Sequence, residues 1–132
     1  MASVLDDKEA IREAFATYCY NVDDNKPEAF GNLFATDCVW DGGPIGKFEG
    51  REALVGFCAG INQQWGAGTF HHLLSNQIVS VNGDSAHLRA YVNVMKGKIG
   101  ESIAVFASGQ YQVDFVRQGG SWLIKKLELT VL

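Results

Sequence analysis

The residues best suited to chemistry sit in one short stretch, Phe70-His71-His72-Leu73-Leu74-Ser75-Asn76. It sets two imidazoles into an apolar, strand-like run that continues to Val81. Successive side chains of a strand point to opposite faces, so only one of the two histidines can enter a given core. An imidazole among apolar residues needs hydrogen-bond partners, and where the ring moves protons a carboxylate is the usual one. Asp23, closing the first helical run, is the best candidate for that carboxylate. Held against one ring nitrogen, it would fix the tautomer and leave the other nitrogen as a general base. Each residue also has a plain structural role open to it: a core histidine, and an aspartate that ends a helix.

The elements that must position them are legible from periodicity. Ile11, Phe15, Tyr18 and Val22 recur at helical spacing, which predicts an amphipathic helix over 7–22. Asp6 with Glu9 suggests a capping box, and Asp23-Asp24-Asn25 breaks the run. Pro27 suits the first turn of a second helix over 26–35. Cys38 to Asp41 reads as a short strand stopped by Gly42-Gly43-Pro44. A third helix follows Phe48-Glu49-Gly50-Arg51-Glu52, with Leu54, Phe57, Cys58 and Ile61 on one face. After the Gly66-Ala67-Gly68 loop the period changes to two, and strands are expected over 69–81, 86–96, 101–117 and 121–131. Asn82-Gly83-Asp84 and Gln118-Gly119-Gly120 are hairpin turns by composition, and Lys96-Gly97-Lys98 reads as a solvated one. Gly109 is the candidate for a bend in the longest strand. Helices first and an antiparallel meander last make an α+β fold: four long strands plus a short one, curved into a cone that three helices close.

Composition narrows the function classes. The 132 residues are 47% hydrophobic and 20% charged, as in a globular chain, and are read as one domain, 1–132. Eleven Lys and Arg against fifteen Asp and Glu leave no basic stripe, so no nucleic-acid partner is expected. No run approaches the roughly 20 apolar residues that span a bilayer, and the first residues lack a leader pattern, so no membrane partner is expected either. Cys19, Cys38 and Cys58 show no metal-ligand spacing, and three unpaired cysteines suit a reducing, cytoplasmic setting.

Several motifs together resemble the SnoaL-like branch of the nuclear transport factor 2-like superfamily. They are Tyr18 to Asp23 followed by Leu33 to Trp40; Phe48-Glu49-Gly50-Arg51-Glu52-Ala53-Leu54 with His72-Leu73-Leu74-Ser75-Asn76; and Gly109 to Arg117 with Gly120-Ser121-Trp122-Leu123-Ile124. Within that branch, Tyr18, Asp23 and His72 are similar to an arrangement in scytalone dehydratase, bile-acid dehydratase and hexachlorocyclohexane dehydrochlorinase. The resemblance implies a lyase in which His72 is the base, Asp23 orients it and Tyr18 is the acid or oxygen contact. No metal or organic cofactor is called for. Several of these relatives carry a basic residue near the position of Leu127, a role Lys125 or Lys126 could fill only if strand register allows.

Other readings stay open. Asp41 is placed like the general base of ketosteroid isomerase, which would make the reaction an isomerase-like or cyclase-like proton transfer; a turn aspartate is its rival role. A pocket that binds a small hydrophobic molecule without chemistry is the third reading. Asp41, Trp40, Asn93, Ser108 and Gln110 are candidate substrate contacts, while Trp40, Trp65, Phe106 and Trp122 are read chiefly as packing. The row His87, Arg89, Tyr91 and Asn93 faces either the cavity or an oligomer surface. A homodimer or homotrimer is expected, because the convex face of such a sheet leaves apolar residues uncovered.

Overall fold

The fold comes from a computed structural model that describes residues 3–66 and 68–132. Ala67, inside the expected 66–68 loop, lies outside the described residues.

Helix α1 runs Val4–Asp23, about one turn longer at its start than the spacing suggests. The reason is the cap. Ser3 Oγ accepts the Asp6 N–H and the Asp6 carboxylate accepts the Ser3 N–H, both at 3.1 Å. This capping box forms three residues earlier than the expected Asp6/Glu9 pair, and such caps contribute about 1 kcal/mol. The buried face carries Ile11, Phe15, Tyr18, Cys19 and Val22. Asp7 is buried on the same helix because Arg117 grips its carboxylate at 2.8 and 3.0 Å and Trp122 Nε1 donates to it at 3.3 Å.

Helix α2 is a single short piece, Pro27–Gly31, where a helix to 35 was expected. Phe34 and Ala35 belong instead to strand β1, Phe34–Asp41. Pairing on both sides of β1 outweighs the local helical pattern. Strand β2, Lys47–Glu49, is an addition to the expected strands. Helix α3 spans Arg51–Trp65, and its first residue donates through Nε and Nη2 to the Phe34 carbonyl at 3.2 and 2.6 Å. Strands β3 (Phe70–Asn82), β4 (Ser85–Lys96), β5 (Ala104–Gln118) and β6 (Ser121–Val131) form the meander.

The six strands make one curved, unclosed sheet in the order β2-β1-β6-β5-β4-β3. It is mixed rather than purely antiparallel, because β1 lies parallel to β6. The core fills the concave side, where Leu88, Ala90, Val92, Val113, Phe115, Ile124 and Leu127 meet the helices. Alternation therefore turns His87, Arg89, Tyr91 and Asn93 to the convex side. Gly109 sits where a Cβ would come within 2.4 Å of the Thr130 carbonyl oxygen, so it permits a close backbone approach. The register shifts in the pairings of β5 lie elsewhere, at Val94/Met95 and Asp114/Phe115. Among the described residues, no helix is long and apolar enough to cross a membrane.

Candidate functional site

Helix α1 ends on Asp23 just where the chain returns to begin β3. The Gly68 N–H points to the Asp23 carbonyl at 3.4 Å, which fixes the entry to the strand. The Asp23 carboxylate then takes two donors from one residue. Its Oδ2 accepts the His72 backbone N–H at 2.9 Å, and its Oδ1 lies 2.6 Å from His72 Nδ1. Because β3 is the edge strand, that N–H has no further strand to pair with, and the carboxylate supplies the partner. The two side chains are only 9% and 13% exposed, so the pair is substantially desolvated. With a carboxylate on Nδ1, neutral His72 carries its proton there and keeps its Nε2 lone pair free.

His72 stands between two hollows. The larger, about 840 Å³, is bounded by Phe48, Phe57, Trp65, Phe70, Val94 and Phe106, with Gln64 as its other polar side chain. The smaller, about 400 Å³, opens between α1 and the sheet edge and is lined by Cys19, Tyr20, Asp23 and Gln77. His72 borders both, whereas Asp23 borders only the smaller one. The carboxylate thus approaches the ring from one side while an apolar chamber lies on the other. Such a pairing can accept a proton from a molecule held in the chamber and stabilise the imidazolium that results.

Tyr18 is set apart from this pair. It is 2% exposed and borders neither hollow. Its ring stacks on Phe15 at 4.8 Å and packs on Phe30 at 5.0 Å. Trp40 Nε1 donates to its hydroxyl at 2.9 Å. Burial drives its phenol pKa far above the ordinary value, against the opposing effect of that hydrogen bond, so it stays neutral. The cause of the displacement is helical phase. Five residues at about 100° each turn Asp23 roughly 140° away from Tyr18 around the helix axis.

The remaining expected contacts also fall outside the larger chamber. Asp41 accepts the Gly43 N–H at 3.0 Å, a turn aspartate. Trp40 is buried against Phe48 and Phe57, behind the chamber wall. Ser108 donates to Asn93 at 2.8 Å and Gln110 accepts from Arg89 at 2.8 Å, all on the convex side. These three are corrected as substrate contacts, because β4 and β5 turn alternate residues outward. Lys125 pairs with Asp37, and Lys126 with Glu128 at 2.9 Å, while Leu127 is buried. Neither lysine borders the chamber. In the other direction, Trp65 and Phe106, read from sequence as packing, form part of the chamber wall. Lys96 lies over the Trp65 ring rather than in a solvated turn. Its inward phase with Leu88, Ala90, Val92 and Val94 was the available signal.

Solved structures with the same architecture cover almost the whole chain. An NTF2-like protein with a cystatin-like fold from Novosphingobium aromaticivorans superposes with a TM-score of 0.89 at 26% identity, over 97% of this chain and 83% of that one. A protein from the same organism, provisionally named scytalone dehydratase, gives 0.82 at 27% identity, over 97% and 85% of the two chains. The β subunit of a provisionally named aromatic-ring-hydroxylating dioxygenase, also from that organism, gives 0.79 at 19% identity over 93% and 87%, a likeness of fold alone. No curated protein matches. The family model described as the SnoaL-like domain matches residues 3–128, and the chain belongs to that family.

Proposed function

We propose that the protein is a cofactor-independent lyase that removes water from a small, hydrophobic, cyclic hydroxy compound. The observation that carries this reading is the Asp23–His72 pair, 2.6 Å apart, at the wall of an apolar chamber. Substrate binds in the chamber with its activated C–H bond facing His72 Nε2. His72 takes that proton, the C–H electron pair becomes the new double bond, and the C–O bond to the leaving hydroxyl breaks. Tyr18 borders neither hollow, so His72 itself is assigned the return of the proton to the departing oxygen. Water leaves, and the base is regenerated. Asp23 orients the ring and offsets its charge at the moment of transfer. General acid–base catalysis of this kind contributes about 10²–10⁴ in rate.

The similarity to a protein provisionally named scytalone dehydratase supports an elimination. The turn role of Asp41 leaves the isomerase-like alternative without its base at the chamber. The three buried free thiols suit a reducing compartment such as the cytoplasm. Exposed Leu73, Ile78, Tyr91 and Val105 on the convex face support assembly as a homodimer or homotrimer.

The test is direct. Cyclic β-hydroxy ketones such as 3-hydroxy-1-tetralone aromatise on losing water, and the naphthol product is read by absorbance. Wild-type protein should accelerate product formation, and His72→Ala, shown folded by circular dichroism, should lose about 10²-fold or more. Equal rates for the two proteins would overturn the assignment of His72. Proton exchange with D2O and no water loss would replace elimination by isomerase-type chemistry.

A further inference from the structure

The large chamber is almost entirely apolar, yet a cation, Lys96, lies against two of the rings that line it. Lys96 Nζ lies 4.1 Å from the Trp65 ring centroid and 5.5 Å from that of Phe106, and both rings line the chamber. Lys96 pairs in register with Phe70, and Val94 with His72, so all four share the concave face. Lys96 is one inward-facing position further along β4 than the residue opposite His72, about 7 Å at the usual rise of a strand. The register shift between Val94 and Met95 leaves Phe106 unpaired opposite the end of β4, which packs its ring beside Phe70 at 5.0 Å.

The other cations on the sheet are engaged. Arg117 holds Asp7 and Asp84, Lys125 pairs with Asp37, Lys126 with Glu128, and Arg89 bonds Gln110. Lys96 has no carboxylate or carbonyl partner among the described residues. A ring face under an ammonium steadies it without using up its N–H donors. An apolar wall, a half-buried cation with free donors and a base farther in make a directional site.

We propose that Lys96 is an anchoring residue for a carboxylate, so that the substrate is an apolar ring compound carrying an acid group at the end away from His72. The carboxylate binds the ammonium at the rim, and the ring lies against Trp65, Phe70 and Phe106. The reacting carbon is thereby set about one ring width deeper, beside His72. This rests on the chamber being the substrate site, as proposed above, and not on the reaction being an elimination.

Binding of two near-isosteric probes, 2-naphthoate and 2-naphthylmethanol, measured by calorimetry at low salt, tests it. Wild-type protein should bind the carboxylate about tenfold more tightly, the scale of one charge-assisted hydrogen bond. Lys96→Met keeps the stem on Trp65 but should bring the two affinities together with the alcohol unchanged, and Lys96→Arg should keep the preference. His72→Ala should keep it as well, so this result stands whether or not the protein dehydrates anything. Failure of wild type to prefer the carboxylate, or to bind either probe, would overturn the inference. So would a preference that survives in Lys96→Met or disappears in His72→Ala.

Discussion

Asp23→Asn is the most searching change, because it is isosteric and alters only what the side chain can accept. In the native site one carboxylate satisfies two donors of His72, the backbone N–H at 2.9 Å and Nδ1 at 2.6 Å. An asparagine has one acceptor oxygen and one donor NH2. With its oxygen toward Nδ1–H, the NH2 faces the backbone N–H and two donors collide. With its oxygen toward the backbone, the NH2 donates to Nδ1 and forces the proton onto Nε2, removing the lone pair that the proposed base uses. Either way at least one hydrogen bond to a charged group is lost, worth about 1.5–3 kcal/mol. At a urea slope of about 1.5 kcal/mol/M, the unfolding midpoint should fall by about 1–2 M. The same loss of imidazolium stabilisation is about 10–10²-fold in rate, and the wrong tautomer takes the total toward 10²–10⁴. The tautomer can be read without a substrate, by nitrogen chemical shifts of 15N-labelled histidine. Wild type should show a protonated Nδ1 on His72, and the variant should show either a protonated Nε2 or faster amide exchange at His72. An unchanged midpoint, tautomer and amide exchange together would refute the two-donor account.

Three other outcomes follow from the same geometry. The Arg117 hydrogen bonds hold the Asp7 carboxyl below its ordinary pKa, against burial, so this pair stabilises the fold above about pH 4 and the stabilisation is lost as pH falls through the lowered value. Asp7→Asn should lower the thermal midpoint at pH 7 and narrow its gap to wild type toward pH 3; a constant gap would contradict the ion pair. For His87, burial opposes protonation, but hydrogen bonds to Asp114 and Gln112 outweigh it and raise the pKa. Its contribution is complete below about pH 6.5 and lost as pH rises through the raised value, so the small advantage of wild type over His87→Gln should shrink between about pH 6 and 8. Gly109→Ala would drive a Cβ to 2.4 Å from the Thr130 carbonyl and should cost about 1–3 kcal/mol in denaturant titrations, whereas an unchanged midpoint would mean the β5–β6 pairing parts freely there.

The elements were legible wherever a local rule decides them, and less so wherever a distant partner does. The α1 stripe and the Asn82-Gly83-Asp84 turn, with Gly83 at φ 62°, needed only spacing and turn chemistry. The parallel pairing of β1 with β6 joins segments some ninety residues apart, and no periodicity within either strand encodes it. Asp23 and His72 are 49 positions apart, and the need of an apolar-set imidazole for a carboxylate, with the motif resemblance added, pairs them where no periodicity could. Tyr18 was grouped with them by that resemblance, and the phase of its own helix removes it. Lys96 closes the expected 86–96 strand, but the glycine after it suggested a solvated turn, and only the pairing with Phe70 and the Trp65 ring beside it show where its side chain goes.

The strand that carries His72 shows why alternation alone could not finish the site. His72 and Val79 are seven residues apart, an odd number, and an unbroken strand would send them to opposite faces. Both nonetheless face inward, His72 opposite Val94 and Val79 opposite Leu88. The register shift between Ser75 and Ile78, with Asn76 at φ 55°, inserts the step that restores the phase. Asparagine tolerates that left-handed backbone better than the β-branched residues favoured elsewhere in strands. One edge strand can therefore seal the core at its far end and present an imidazole to the chamber at its near end. The bulge between them makes the two duties compatible.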